Sequence, residues 1–544
     1  MKKLLLIVSA MTMGIAAALA VPAKPGVKKI LTLADGTRVE ATLTGDEHVN
    51  YYRTSDNLAI QMIDGAYRYV NLDSLNRLHS KRLAARNAER ALRLPAGPTE
   101  PIVGKRRGLV ILVQFKDVKF TYGLEEFKDY FNKSGYDRDG MQGSVRDYFL
   151  EQSYGKLDFE FDVVGPITVT YNAEYYAADN SRVAAMVNTV CKKVDDDVDF
   201  SLYDADDDKS VDQVVIIYAG YGAAQGAENT IWPHEWNAKY ASGGNAYRTR
   251  DGVSIAVYCV SCELMGNGKT DKGHIDGVGT SCHEFSHSLG LPDFYDTGHN
   301  DGTSAGAFGM GAWDLMCSGC YNGDSNGRCP SAYTAYERWF AGWLEPTELK
   351  SGCQVENMPS LVDSPVAYVI YNEKTSTEYY LLQNIQQKGF DTAQPGHGML
   401  VMHVDYDEEA WNYNSVNRDA SHQRMTIIPA DNELYTTITS FAADPFPGTR
   451  RKTQLTDTSR PAATLYNANS DGRKFMGKPI TNIKEKNGLI SFTFMGGGEV
   501  IDGIQALPSK SAEGYVYGID GRRFSSDRLA HGLYIRNGRK FIVK

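Results

Sequence analysis

The stretch SCHEFSHSLGLPDFYD (281–296) restricts the local fold more than any other part of the chain. His283 and His287 are i and i+4 neighbours, and on an α-helix such positions share a face, so both imidazoles can aim at one point. Gly290 and Pro292 then stop the helix. Glycine accepts the left-handed conformation of a C-terminal cap, and proline cannot continue the helix. The chain doubles back and brings Asp293 towards the same point. The order H-E-x-x-H-x-x-G-x-x-D therefore predicts a helix, a tight reversal and a set of metal ligands: His283, His287 and Asp293. Asp296 and His299 are the competitors for the third place. Three such ligands leave one tetrahedral zinc position open for water, whose pKa zinc lowers towards ~7. Glu284 projects beside the ion rather than onto it and is placed to act as general base.

A short distance on, GAWDLMCSG places Met316 in a tight turn. A methionine turn beneath the metal is the metzincin arrangement, in which the methionine packs and does not ligate. Two residues are candidates to donate a hydrogen bond to a transition-state oxyanion, Tyr321 and His234. A second metal is suggested by DADDDKSVD, which supplies Asp204, Asp206, Asp208 and Asp212 as oxygen donors for calcium. Lys209 stands where a calcium loop has its glycine and no glutamate closes the loop, so this is not an EF-hand. A solvated acidic turn is the competing reading.

A chain of 544 residues is too long for one compact core and predicts two to four domains. Lys2 and Lys3, the apolar run from Leu4 and the small-residue pattern Ala18-Leu19-Ala20 read as a signal peptide over residues 1–20. No later stretch is apolar for long enough to span a membrane, so the protein is expected to be exported. The net charge of −10 argues against nucleic acid as a partner. In an exported chain, 8 cysteines favour disulfides; the CxxC pairs Cys259/Cys262 and Cys317/Cys320 also permit a zinc ribbon or a redox centre.

Residues 21–107 contain no cysteine and read as a propeptide. Strand-like pieces surround the turn Asp35-Gly36, an Arg-rich helical stretch follows, and a Pro/Gly linker ends in Lys105-Arg106-Arg107, a site for a trypsin-like cut. GLVILVQF and VDQVVIIYAGYG are continuous apolar runs, as expected of strands buried on both faces. They open a catalytic domain assigned to 108–345. Its closing helix, PSAYTAYERWFAGWLEP, carries an aromatic stripe expected to be core. Residues 346–498 read as a β-sandwich-like domain, and 501–544 as a small β module of two hairpins. The fold class is thus α+β.

The chain resembles the secreted metallopeptidases related to immune inhibitor A. HEFSHSLGLPDFYD resembles the family's zinc segment and AWDLMCSG its methionine turn. IWPHEW, PGHGMLVMHVDY, HQRMTIIPAD and ADGTRVEATLTGDEHVNYY resemble further family elements before, after and upstream of the site. The resemblance implies zinc-dependent cleavage of protein or peptide substrates, with an Asp as third ligand. Classical metzincins have a His there. The tail, with IDGRRF and HGLYIRNGRKFIVK, resembles the C-terminal sorting domains of the type IX secretion route, which implies export machinery and surface attachment or release. The propeptide reading implies a latent precursor. No cysteine precedes Cys191, so a cysteine switch is excluded, and a carboxylate or His from the segment Gly45, Asp46, Glu47, His48 is expected to cover the metal. The alternative function is a catalytically silent surface-binding or adhesin-like protein; retention of Glu284 argues against it.

Overall fold

The computed structural model describes residues 20–79, 101–239, 246–269, 273–297, 307–434 and 441–503, together with strands between 516 and 543. The leader before Ala20, the helical stretch beyond residue 79 and the first part of the expected linker, up to residue 100, lie outside the described residues. Among the described residues no helix is long and apolar enough to cross a membrane.

The N-terminal region forms a five-stranded antiparallel sheet in sequence order, from Lys28–Thr32 to Ala66–Val70. Gly36, with φ +87°, makes the first turn, as the Asp-Gly pair predicts. The buried centre of this sheet is small, formed by Leu31, Leu33, Ala41 and Ile60.

The next unit is built on a five-stranded sheet in the order Leu157–Thr168, Gly104–Gln114, Val214–Tyr221, Val257–Leu264, His234–Asn237. The first four strands are parallel, and the last is an antiparallel edge. The apolar runs are continuous because the central strands are covered on both faces. Val110 and Leu112 pack with Val278, Cys282 and Phe285 on one side. Leu109, Ile111 and Val113 pack with Val183, Val187 and Val190 of the helix Asn180–Val194 on the other. Phe285 meets Phe149, Phe159 and Phe161 at ring separations of 5.3, 4.9 and 5.5 Å, which fastens the helix Val278–Ser288 to the sheet.

Three expectations are corrected here. Lys105, Arg106 and Arg107 are not linker: they lie in the strand Gly104–Gln114, paired with Asp158, Phe159 and Glu160, and the Arg107 guanidinium clasps Asp162. The parallel ladder holds them in place, so the sheet begins before the boundary expected at 107. The cysteines form no disulfide; all eight are free and buried. Cys259 and Cys262 occupy one strand at an odd separation, so they project from opposite faces and join different cores, which rules out bridging to each other. The β-rich region extends past 498, because Glu499–Asp502 pairs in parallel with Cys353–Met358.

That region is two packed sheets, as expected of a sandwich. One has the order Thr347–Glu348, Tyr368–Tyr371, Glu378–Ile385, Gly398–Asp405, Met425–Ile427; the other contains Ile480–Lys486, Leu489–Phe494, Cys353–Met358 and Glu499–Asp502. Tyr368, Ile370, Tyr380 and Leu382 face Val355, Ile490, Phe492 and Phe494 between the sheets. The other face of the first sheet carries Val369, Leu381, Leu400, Met402 and Val404, and these belong to the same core as Phe285 and Trp343. The two units therefore share buried apolar surface. Val516–Gly518, Arg523–Phe524, Gly532–Arg536 and Arg539–Val543 form the expected C-terminal antiparallel sheet.

One contact between the units predicts a pH effect. Trp313 Nε1 donates to Asp444 Oδ2 at 2.9 Å, and burial pushes the Asp444 carboxyl up to about 8. Between the ordinary value of 3.8 and about 8, the folded chain holds a proton there that the unfolded chain has released. Stability therefore falls as pH rises through that window. Asp444→Asn keeps an oxygen for Trp313 and removes the charge. Its Tm should exceed wild type by at least about 4 °C at pH 8 and match it near pH 4, as read by thermal melts at both pH values.

Candidate active site

The helix Val278–Ser288 has little intrinsic drive to form, since Val, Gly, Thr, Ser and Cys fill its first turns; tertiary packing supplies its stability. Every residue from Val278 to His287 is buried. A Cβ on Gly279 would overlap the Cys320 carbonyl oxygen, so glycine lets the helix lie directly on the segment that follows Met316. At the other end Gly290 takes φ +101° and reverses the chain.

The two histidines meet as predicted, with ring centroids 4.8 Å apart. His283 Nδ1 lies 2.7 Å from the Leu315 carbonyl and His287 Nδ1 lies 2.8 Å from the Leu291 carbonyl. A proton on each Nδ1 satisfies those carbonyls and places the ring lone pair of each imidazole on Nε2. His283 Nε2 is 3.1 Å and His287 Nε2 3.5 Å from Asp293 Oδ1. The three ligand atoms lie within 4.8 Å of one another, all on buried residues. His283 Nε2 has no hydrogen-bond partner among the described residues. Two imidazoles of fixed tautomer and one carboxylate form a donor set that fits zinc.

Glu284 is fully buried next to this set. Burial pushes its carboxyl well above the usual range, with the negative charges of Asp293, Glu47 and Glu235 adding to that and the Val21 N–H opposing it. Met316 is buried in the predicted turn, where Asp314 Oδ1 accepts from its backbone N–H at 2.7 Å. The turn fastens at once the two segments that carry His283 and Asp293. Leu315 offers its carbonyl to His283, and the Met316 carbonyl accepts from Phe294 N at 2.8 Å, directly after Asp293.

The other predicted residues divide. Tyr321 is brought to the cleft, where its hydroxyl donates to the Pro22 carbonyl at 2.9 Å. His234 is not. It pairs opposite Val260 on the edge strand, so it shares the face packed on the helix Asn180–Val194, and its ring nitrogens lie near the Trp232 carbonyl and the Tyr258 hydroxyl. Asp296 accepts from Ala307 N at 2.8 Å and thus ties down its own loop; His299 lies outside the described residues. Asp204, Asp206 and Asp208 do gather, within 4.8 Å. They also cap their own turn, through Asp208 N to Asp204 at 3.0 Å and Ser210 N to Asp208 at 2.7 Å. Asp212 stands outside that trio, accepting from Ala205 N at 3.3 Å, with its carboxyl pushed up to about 6 chiefly by burial.

Sequence reasoning missed what fills the cleft. Residues 20–24 cross it: Val21 N donates to Glu284 Oε1 at 2.8 Å, Trp232 Nε1 to the Val21 carbonyl at 2.9 Å and Tyr295 OH to the Ala20 carbonyl at 2.7 Å. Ala20 and Val21 are fully buried. Tyr295 was within reach of the motif, two residues past Asp293; Trp232 lay in the quoted segment IWPHEW with no role assigned. Of the segment expected over the metal, Glu47 lies close enough for its charge to raise the Glu284 carboxyl. Asp46 accepts from His48 N at 2.9 Å and meets His79 Nε2 at 2.8 Å, while His48 Nε2 lies 3.1 Å from Glu47.

This geometry coincides with a recognised class of domain. Residues 109–343 match the sequence model of the immune inhibitor A peptidase M6 catalytic domain. The chain is similar to immune inhibitor A of Bacillus thuringiensis subsp. alesti, with 27% identity over 284 residues, 44% of this chain and 40% of that protein. It is also similar to the pre-pro-metalloprotease PrtV of Vibrio cholerae serotype O1 (strain M66-2), with 23% identity over 223 residues, 36% of this chain and 23% of that protein. The chain thus spans less than half the length of these curated relatives.

Proposed function

We propose that this chain is the precursor of an exported zinc-dependent endopeptidase that hydrolyses peptide bonds of proteins. The observation that carries the reading is the convergence of His283 Nε2, His287 Nε2 and Asp293 Oδ1 beside a buried Glu284. Zinc, when bound there, supplies Lewis acidity towards water and the scissile carbonyl. The protein's own groups do the rest. Glu284 takes a proton from the attacking water and returns it to the leaving nitrogen. Trp232 and Tyr295 now donate to carbonyls of the segment in the cleft, and they are placed to hold a substrate backbone in the same way. Tyr321 stands next to them as the oxyanion donor.

In the same reading residues 1–20 are a signal peptide and the region up to about Gly104 is a propeptide whose first residues keep the enzyme latent. The β-rich unit supports the site, and the C-terminal strands serve export and attachment. Calcium at Asp204, Asp206 and Asp208 is a separate part of the proposal, resting on their proximity alone.

Metal analysis of the purified chain should find about one zinc per chain. Casein hydrolysis by the matured protein should stop with 1,10-phenanthroline and return with added zinc. Asp293→Ala should fold and retain below about a tenth of that zinc. Hydrolysis that persists in stripped protein would defeat the proposal.

A further inference from the structure

The third member of the metal-binding set is held by a residue far outside the catalytic stretch. Asn414 follows the short helix Glu408–Asn412 of the β-rich unit and is buried. Its amide faces Asp293 twice: Asp293 N donates to Asn414 Oδ1 at 2.7 Å, and Asn414 Nδ2 donates to Asp293 Oδ2 at 2.7 Å. The other carboxylate oxygen, Oδ1, is the one that faces His283 and His287. The same loop grips the flanking residues. Thr297 Oγ1 donates to the Asn414 carbonyl at 2.7 Å, and Asn417 Nδ2 to the Phe294 carbonyl at 2.8 Å.

We infer that Asn414 is a positioning residue for the zinc ligand Asp293, so that the β-rich unit completes the metal site. This rests on the zinc peptidase reading above. The terminal torsion of an aspartate is broad. A side-chain amide that takes one oxygen, while its own oxygen takes the aspartate's N–H, leaves the other oxygen aimed at the ion. Partners of this kind commonly change metal affinity about 10–100-fold. Asparagine also suits the backbone, because residue 414 sits at φ +49°, a left-handed conformation that Asn and Gly adopt more readily than most.

The test uses the full chain, stripped of metal, with zinc affinity read by competition against a chromophoric chelator. Asn414→Asp keeps the acceptor for Asp293 N–H and replaces the amide donor to Oδ2 with a second carboxyl, which faces Oδ2 as a like charge or through a shared proton. Asn414→Gly loses both and keeps the backbone carbonyl for Thr297. The inference expects both variants to melt cooperatively without metal near the wild-type temperature and to bind zinc about 10–100-fold more weakly. Affinities within twofold of wild type would overturn it. Loss of the cooperative metal-free transition in both variants would overturn it too, because the contact would then be structural. Failure of the wild-type chain to take up zinc is a different result, and defeats the underlying reading along with this one.

Discussion

Glu284→Gln should lower peptide-bond hydrolysis by about 10²–10⁴-fold, the contribution typical of a positioned general base. The amide has the shape of the carboxyl and keeps an oxygen for the Val21 N–H, so the precursor should fold unchanged. Glu284 is not among the convergent ligand atoms, so zinc content should stay at the wild-type level. The measurement is the initial rate on casein alongside zinc per chain. A variant that retains zinc and hydrolyses casein at more than about a tenth of the wild-type rate would assign the base elsewhere. A variant that loses zinc would show that Glu284 belongs to the donor set instead.

A chain that begins at Val27 should hydrolyse casein on the order of 100-fold faster than one that begins at Val21, before any further processing. The argument is occupancy. Residues 21–24, present in the longer chain, sit on Glu284, Trp232 and Tyr321, groups assigned to substrate. The segment is anchored through Ala23 N to Gly45 and Lys24 N to Ala224, at 2.9 and 2.8 Å. A tethered segment competes at an effective concentration in the ~mM range, which free substrate does not match. The strands from Lys28 onward remain in the shortened chain, so folding and zinc content serve as controls. Equal rates from the two chains would remove this segment from the account of latency.

Much of the site was readable because the motif's spacing converts directly into position on a helix. His283, Glu284 and His287 lie where a helical reading places them, and Gly290 and Pro292 make the reversal that returns Asp293. The runs around Leu109 and Val214 read correctly as strands covered on both faces. Other features misled for identifiable reasons. Lys105, Arg106 and Arg107 have the composition of a linker, yet their charges are accommodated at the exposed start of a paired strand. The pair Cys259/Cys262 has the spacing of a bridge or ribbon only if the chain turns there, and a strand sends its members to opposite faces. His234 lost its proposed place for the same reason of alternation.

The sequence by itself determined the helix that carries His283, Glu284 and His287, the reversal after it, the turn at Met316 and the buried strands. Each of these depends on neighbours a few residues apart, whose relative directions follow from the covalent geometry of one element. Only the tertiary structure decided that Asn414 grips Asp293 across 121 residues and that Val21 covers Glu284 across 263. Contacts at such separations depend on the path of the entire chain and on the packing of sheets against one another, and no local periodicity carries that information.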